Sequence, residues 1–142
     1  ERKIYFMVHF NHPRELTPDS LKACRTLVSA GVPILNQTVL LKGVNDDVDI
    51  LEKLFRMLAA ARVKPHYLYH ADPVQGTAHF RTGLAKGVRL MRALGRRLSS
   101  VALPVFALDL PSGGGKIHIS PDSPPSDLKV FTSRDGRKIK YF

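Results

Sequence analysis

Four nearly continuous apolar, β-prone runs alternate along this chain with amphipathic helical segments, and that alternation most constrains its fold. The runs are Ile4 to Phe10, Pro33 to Leu41, Pro65 to Ala71 and Val101 to Leu108. Their continuity predicts strands buried on both faces of a parallel sheet. The helices between them are well marked. Thr17-Pro18-Asp19 supplies a cap, a first-turn proline and an early acid. Leu21, Cys24, Leu27 and Val28 follow as an apolar stripe that Gly31 ends. Asn45-Asp46-Asp47 opens a second helix, with Val48, Leu51, Leu54, Phe55 and Leu58 on one face. Thr82 is read as the cap of a third, carrying Leu84, Val88, Met91 and Leu94. Gly87 and Gly95 weaken that segment.

Past Pro111 the pattern changes. Ser112 to Gly115 reads as a flexible loop, and Pro121 to Asp127 is rich in proline and serine. Leu128 to Ser133 and Lys138 to Phe142 flank Arg134-Asp135-Gly136-Arg137, a strong hairpin signal. The reading is therefore α/β. About four parallel strands and three helices form part of a (β/α) barrel, and a C-terminal β-hairpin follows. The domain expectation is residues 1–120 for the half-barrel and 121–142 for the linker and hairpin. A free-standing flavodoxin-like sheet is the structural alternative.

Composition narrows the class. At 142 residues, the length suits one domain. No apolar run approaches the ~20 residues of a membrane-spanning helix. Glu1-Arg2-Lys3 leads into too short an apolar stretch for a signal peptide. The expected compartment is therefore cytoplasmic, and no membrane partner is expected. Cys24 is the only cysteine, too few for an internal disulfide, a cysteine-based zinc site or a self-contained iron–sulfur cluster. The net charge of +10 raises the question of a polyanion partner. The basic clusters, Arg81 to Arg97 and Lys129 to Lys140, read instead as solvated faces. No basic stretch is interleaved with stacking aromatics, so a nucleic-acid partner is not favoured.

In α/β folds chemistry gathers beyond the C-terminal ends of the strands. Those exits carry His9, Asn11 and His12; then Asn36, Gln37, Asn45 and Asp46; then Tyr69, His70, Asp72 and Gln75; then Asp109, with Lys116 seven residues later. Gly113-Gly114-Gly115-Lys116 is not a phosphate-binding P-loop. Leu110 stands where that motif needs glycine, and Ile117 where it needs serine or threonine. Lys116 reads either as a solvated loop lysine or as an amine able to bond an aldehyde cofactor. Asp72 and Asp109 leave neighbouring strands and can converge on one cation. They are open to acid–base work, metal ligation or an ammonium clamp. His66 and His70 have zinc-like spacing, but on a strand, and His66 is read as structural. No metal site is assigned within this chain.

Four segments then match a known family: Val8 to Glu15, Asn36 to Asp46, His79 to Thr82, and Asp109 to Lys116. Together they resemble the C-terminal half of lysine 2,3-aminomutase. The closing hairpin resembles that family's tail. The resemblance implies a radical S-adenosylmethionine (SAM) isomerase that uses pyridoxal 5′-phosphate (PLP) and a 4Fe–4S cluster. Such an enzyme moves the amino group of L-lysine from C2 to C3, giving β-lysine. It further implies Lys116 as the PLP Schiff-base lysine and Asp72 and Asp109 as the acids that hold the substrate's terminal ammonium. His9 and Gln37 match residues near SAM. A pair of acids there argues for lysine over glutamate. The family's cluster cysteines are expected upstream and are absent here. The chain thus reads as a fragment, inactive alone, of an enzyme expected to be a homo-oligomer. The alternatives are a related β-lysine-forming enzyme that serves elongation-factor modification, a degenerate homologue that never held a cluster, and a non-catalytic basic nucleic-acid-binding domain.

Overall fold

The computed structural model describes residues 3–141. Phe142, included in the second expected hairpin run, lies outside them, as do Glu1 and Arg2. The order is β1 (Phe6–Val8), α1 (Pro18–Ser29), β2 (Ile34–Leu40), α2 (Val48–Ala60), β3 (Val63–His70), α3 (Leu84–Gly95), β4 (Val105–Leu110), β5 (Gly115–His118), β6 (Val130–Thr132) and β7 (Lys138–Lys140). Strands β1 to β4 are parallel neighbours in sequence order, and β5 adds antiparallel to β4. That order eliminates the flavodoxin-like alternative, whose second strand lies outside its first. Sequential right-handed crossovers place every helix on one face. The sheet is open and does not close into a barrel.

Only one face is therefore covered, which corrects the expectation of strands buried on both. In β2, Ile34, Asn36, Thr38 and Leu40 are buried, while Leu35, Gln37 and Val39 between them are only half-buried. The core joins Leu40, Val63, Leu68, Phe106 and Leu108 of the sheet to Leu51, Leu54, Phe55, Leu58, Met91 and Leu94 of the helices. A register shift opposite Asn36 and Gln37 leaves His66 unpaired in the ladder. This bulge inverts the alternation along β3. It puts Leu68 and His70 beneath the helices, and Tyr67 and Tyr69 on the open face.

The asparagines at the strand exits prove structural. Pairing of β1 with β2 stops at Val8 opposite Asn36. Side chains then continue the ladder. Asn36 Oδ1 accepts from Phe10 N at 2.7 Å, and its Nδ2 donates to Phe10 O at 3.1 Å. Asn11 Oδ1 accepts from Val39 N at 2.8 Å. Asn45 Oδ1 accepts from Leu41 N at 2.7 Å, while its Nδ2 donates to Asn11 O and Val39 O, both at 2.8 Å. Asn36 and Asn45 are fully buried, where unpaired backbone groups are costly.

Thr17 and Asp47 cap α1 and α2 as expected. The third cap differs. Gly83 occupies that position, while Thr82 is buried with its hydroxyl unpartnered and its carbonyl bonded to His70. Gly87 is required rather than weakening: a Cβ there would stand 2.2 Å from Phe106 Cζ, where α3 crosses β4. Gly87→Ala is expected to lower unfolding free energy by about 1–3 kcal/mol in urea titration, outweighing alanine's helix preference of about 1 kcal/mol. Unchanged stability would contradict that packing.

Three side chains of the basic stretch from Arg81 to Arg97 are engaged by partners. Arg97 binds Asp49 at 2.5 Å and Glu52 at 3.1 Å, Lys86 pairs with Asp46, and Arg92 donates to Pro121 O at 2.7 Å. No helix among the described residues is long and apolar enough to cross a membrane.

Candidate functional site

The open face collects polar and aromatic side chains at its C-terminal end. Register alone makes the row: Gln37 lies opposite Tyr67, Val39 opposite Tyr69, Tyr69 opposite Ala107, and Asp109 opposite Lys116. A cavity of about 220 Å³ lies there, lined by His9, Gln37, Val39, Tyr69, His70, Asp72 and Asp109. It brings together four of the five residues singled out from sequence. The fifth, Lys116, stands at its rim and reaches two of the lining residues.

Lys116 is not on a flexible loop, which corrects that reading. It lies in β5, paired with β4 through a tight turn. Ser112, Gly113 and Gly115 take positive φ values of 55°, 72° and 92°. Glycine adopts that conformation without strain, so the turn fits in four residues what other sequences would need more chain to do. The ladder aims the lysine. Its Nζ donates to Asp109 Oδ1 at 3.0 Å and Oδ2 at 3.3 Å, and to the Tyr69 hydroxyl. It also lies 4.0 Å from the centroid of the Tyr69 ring and 5.1 Å from that of Tyr67. Burial pulls its pKa down, but the Tyr69 and Asp109 hydrogen bonds and charges outweigh this and hold the ammonium above its ordinary range.

Asp72 follows the end of β3. Burial first, and the Asp109 charge second, push its carboxyl above the usual range, while Lys116 opposes them. The two acids therefore sense each other across one cavity. Beneath them His70 is buried. Its Nε2 donates to Thr82 O at 2.9 Å, a carbonyl that only accepts, so Nδ1 accepts from the Tyr141 hydroxyl at 2.8 Å. Burial lowers the His70 pKa, which favours the neutral ring. Burial, then the Asp72 charge, pushes Tyr141 up to about 12.

Several members of the site were not assigned from sequence. Tyr69 stood among the strand-exit residues without a role. Its contact with Lys116 needed β5 to be recognised as a strand. So did the 3.2 Å contact between Tyr67 Oη and His118 Nε2. Tyr141 lies 71 residues from His70, and no local pattern announces it.

The chemistry of this set suits a cation at two carboxylates beside an amine able to bond a carbonyl. For an aldehyde cofactor such as PLP the anchoring amine fits: Lys116 is presented by strand β5 at the cavity rim. Space also lies open at Gly113, where a Cβ would meet nothing within 4 Å. An iron–sulfur cluster does not fit. Cys24 is buried on α1, and no group of three metal-ligating side chains occurs among the described residues.

No protein-family model matches the chain. Curated proteins do. One from Aquifex aeolicus, provisionally named an L-lysine 2,3-aminomutase, is 50% identical over 141 residues, 97% of this chain and 38% of its own length. The L-lysine 2,3-aminomutase of Clostridium subterminale is 43% identical over 97% of this chain and 34% of its own length. The glutamate 2,3-aminomutase of Clostridioides difficile is 39% identical over 96% of this chain and 33% of its own length. The chain thus spans little more than a third of the length of these relatives.

Proposed function

The chain belongs to the lysine 2,3-aminomutase family, and on that premise we propose that it is the PLP-anchoring, substrate-holding part of an enzyme that moves the amino group of L-lysine from C2 to C3. One observation carries the reading. Lys116, Asp72 and Asp109 converge on a single cavity at the C-terminal end of the sheet.

Lys116 supplies the amine that bonds to PLP. When bound, PLP supplies the conjugated carbonyl system that carries the migrating nitrogen. For its amine to react, Lys116 Nζ must first lose a proton to solvent, because Asp109 Oδ1, 3.0 Å away, stabilises the ammonium and must stay ionised for its later role. Once Lys116 is committed, Asp109 no longer faces an ammonium. Its carboxylate, with that of Asp72, is then free for the terminal ammonium of lysine. Fixing that distant end decides which carbon faces the reacting centre. His9 and Gln37 line the opposite wall and are assigned to SAM. The described residues give an iron–sulfur cluster no ligand, and no step is assigned to one here.

Borohydride treatment of the chain mixed with PLP is expected to fix the cofactor on Lys116 in a peptide map. Lys116→Arg keeps the charge and its pairing with Asp109, so the fold persists, yet label at this peptide is expected to fall at least about tenfold. Label on another lysine, or equal label in the variant, would remove Lys116 from the role.

A further inference from the structure

We infer that the hairpin β6–β7 is a positioning element for Lys116: Ile139 grips the glycine turn that presents it, and Tyr141 ties down the strand end that bears the acid. The inference rests on the functional reading of Lys116 given above.

The grip is visible at Gly114. A Cβ at this residue would stand 2.5 Å from Ile139 Cδ1 and 2.8 Å from Leu110 Cβ. The turn is thus held between the end of β4 and the hairpin, with only a hydrogen's width to spare. Beside it, Arg134 N donates to Gly114 O at 3.4 Å. The Arg134 methylenes lie 3.5 and 3.6 Å from where a Gly115 Cβ would sit. The second attachment is Tyr141, 2% exposed. Its ring meets Phe131 edge-on at 5.8 Å, its backbone N–H donates to Lys129 O at 2.6 Å, and its hydroxyl donates to His70. His70 lies two residues before Asp72. One small hairpin therefore touches both the turn carrying the amine and the strand end carrying an acid. A mere cover would need neither. Phenylalanine would fill position 141 without burying a hydroxyl that demands a partner.

The test reads Lys116 itself, through the pH midpoint of its labelling by an amine reagent in a peptide map of the intact chain. The groups facing Lys116 are Asp109 on β4, His66, Tyr67 and Tyr69 on β3, Asp72 beyond β3, and His118 on its own strand. Ile139→Ala is expected to loosen the turn, weaken the pairing with Asp109 and lower the midpoint by about one pH unit. Ile139→Val, which retains most of the contact, is expected to stay near the parent value. A parent-like midpoint in Ile139→Ala overturns the proposal. Should that variant fail to fold, Tyr141→Phe is read the same way: a lowered midpoint supports the proposal and an unchanged one overturns it. Borohydride capture of PLP on the parent chain reports separately. Absent capture with a shifted midpoint removes the cofactor role and leaves the clamp. Capture with an unshifted midpoint does the reverse.

Discussion

Replacing Asn45 by alanine is expected to cost about 3–5 kcal/mol of unfolding free energy, the largest stability effect of any polar substitution in this fold. The amide is fully buried and makes three hydrogen bonds, all to backbone. Alanine would leave the N–H of Leu41 and the carbonyls of Asn11 and Val39 without these partners, at about 1–3 kcal/mol for each group left unsatisfied. Against a total stability of roughly 5–15 kcal/mol this is a large fraction. Asn45→Asp is expected to be no better, since a carboxylate would face two carbonyls. The consequence reaches the site. Asn45 holds the Asn11 backbone, and His9 lies two residues earlier on the cavity wall. Urea titration measures the loss. A change below about 1 kcal/mol would show that the side-chain ladder between β1 and β2 is dispensable.

The double substitution Asp72→Asn with Asp109→Asn is expected to have the largest effect on ligand binding. A charge-assisted hydrogen bond contributes about 1.5–3 kcal/mol, so each lost carboxylate is expected to weaken an alkylammonium ligand about 10- to 100-fold. The two acids share a cavity, so the losses will not add simply. Asp109→Asn has a second effect, because Asp109 also holds Lys116 above its ordinary range. In that variant the lysine should label at lower pH. Asp72→Asn should leave Lys116 nearer the parent and is the cleaner probe of ligand. Comparing lysine with norleucine, which keeps the four side-chain carbons and lacks only the terminal ammonium, isolates that group. If the double variant bound both as the parent does, the acids would not be an ammonium clamp.

Much of this architecture was legible in sequence, for identifiable reasons. Helices α1 and α2 announce themselves by polar caps and 3.6-residue apolar spacing. The parallel strands do so by dense β-branched and aromatic runs. What local patterns could not show depends on distant partners. Strand β5 hides behind three glycines, because only its pairing with β4 makes Gly115 to His118 extended. The bulge at His66 reverses which residues of β3 face the cavity, and alternation read from one strand cannot reveal it. Asn11, Asn36 and Asn45 look like functional polar residues at strand exits, yet they are spent on backbone groups 26 to 34 positions away or, for Asn45, also nearby. Asp72 and Asp109 were accessible because strand ends in this fold converge by construction, whereas Lys116 came forward only through the family resemblance. Tyr69 and Tyr141, which touch them or their neighbours, were not.

The relatives carry names for two substrates of opposite end charge, lysine and glutamate. The most direct measurement is therefore the ratio of kcat/KM for 2,3-amino migration on L-lysine to that on L-glutamate, in the enzyme of which this chain is proposed to form part. With Asp72 and Asp109 in the cavity, lysine is expected to be favoured by at least about 100-fold, since a side-chain carboxylate there would face like charge at a cost of several kcal/mol. A preference for glutamate, or parity between the two, would contradict the assignment of these acids and the reading built on them.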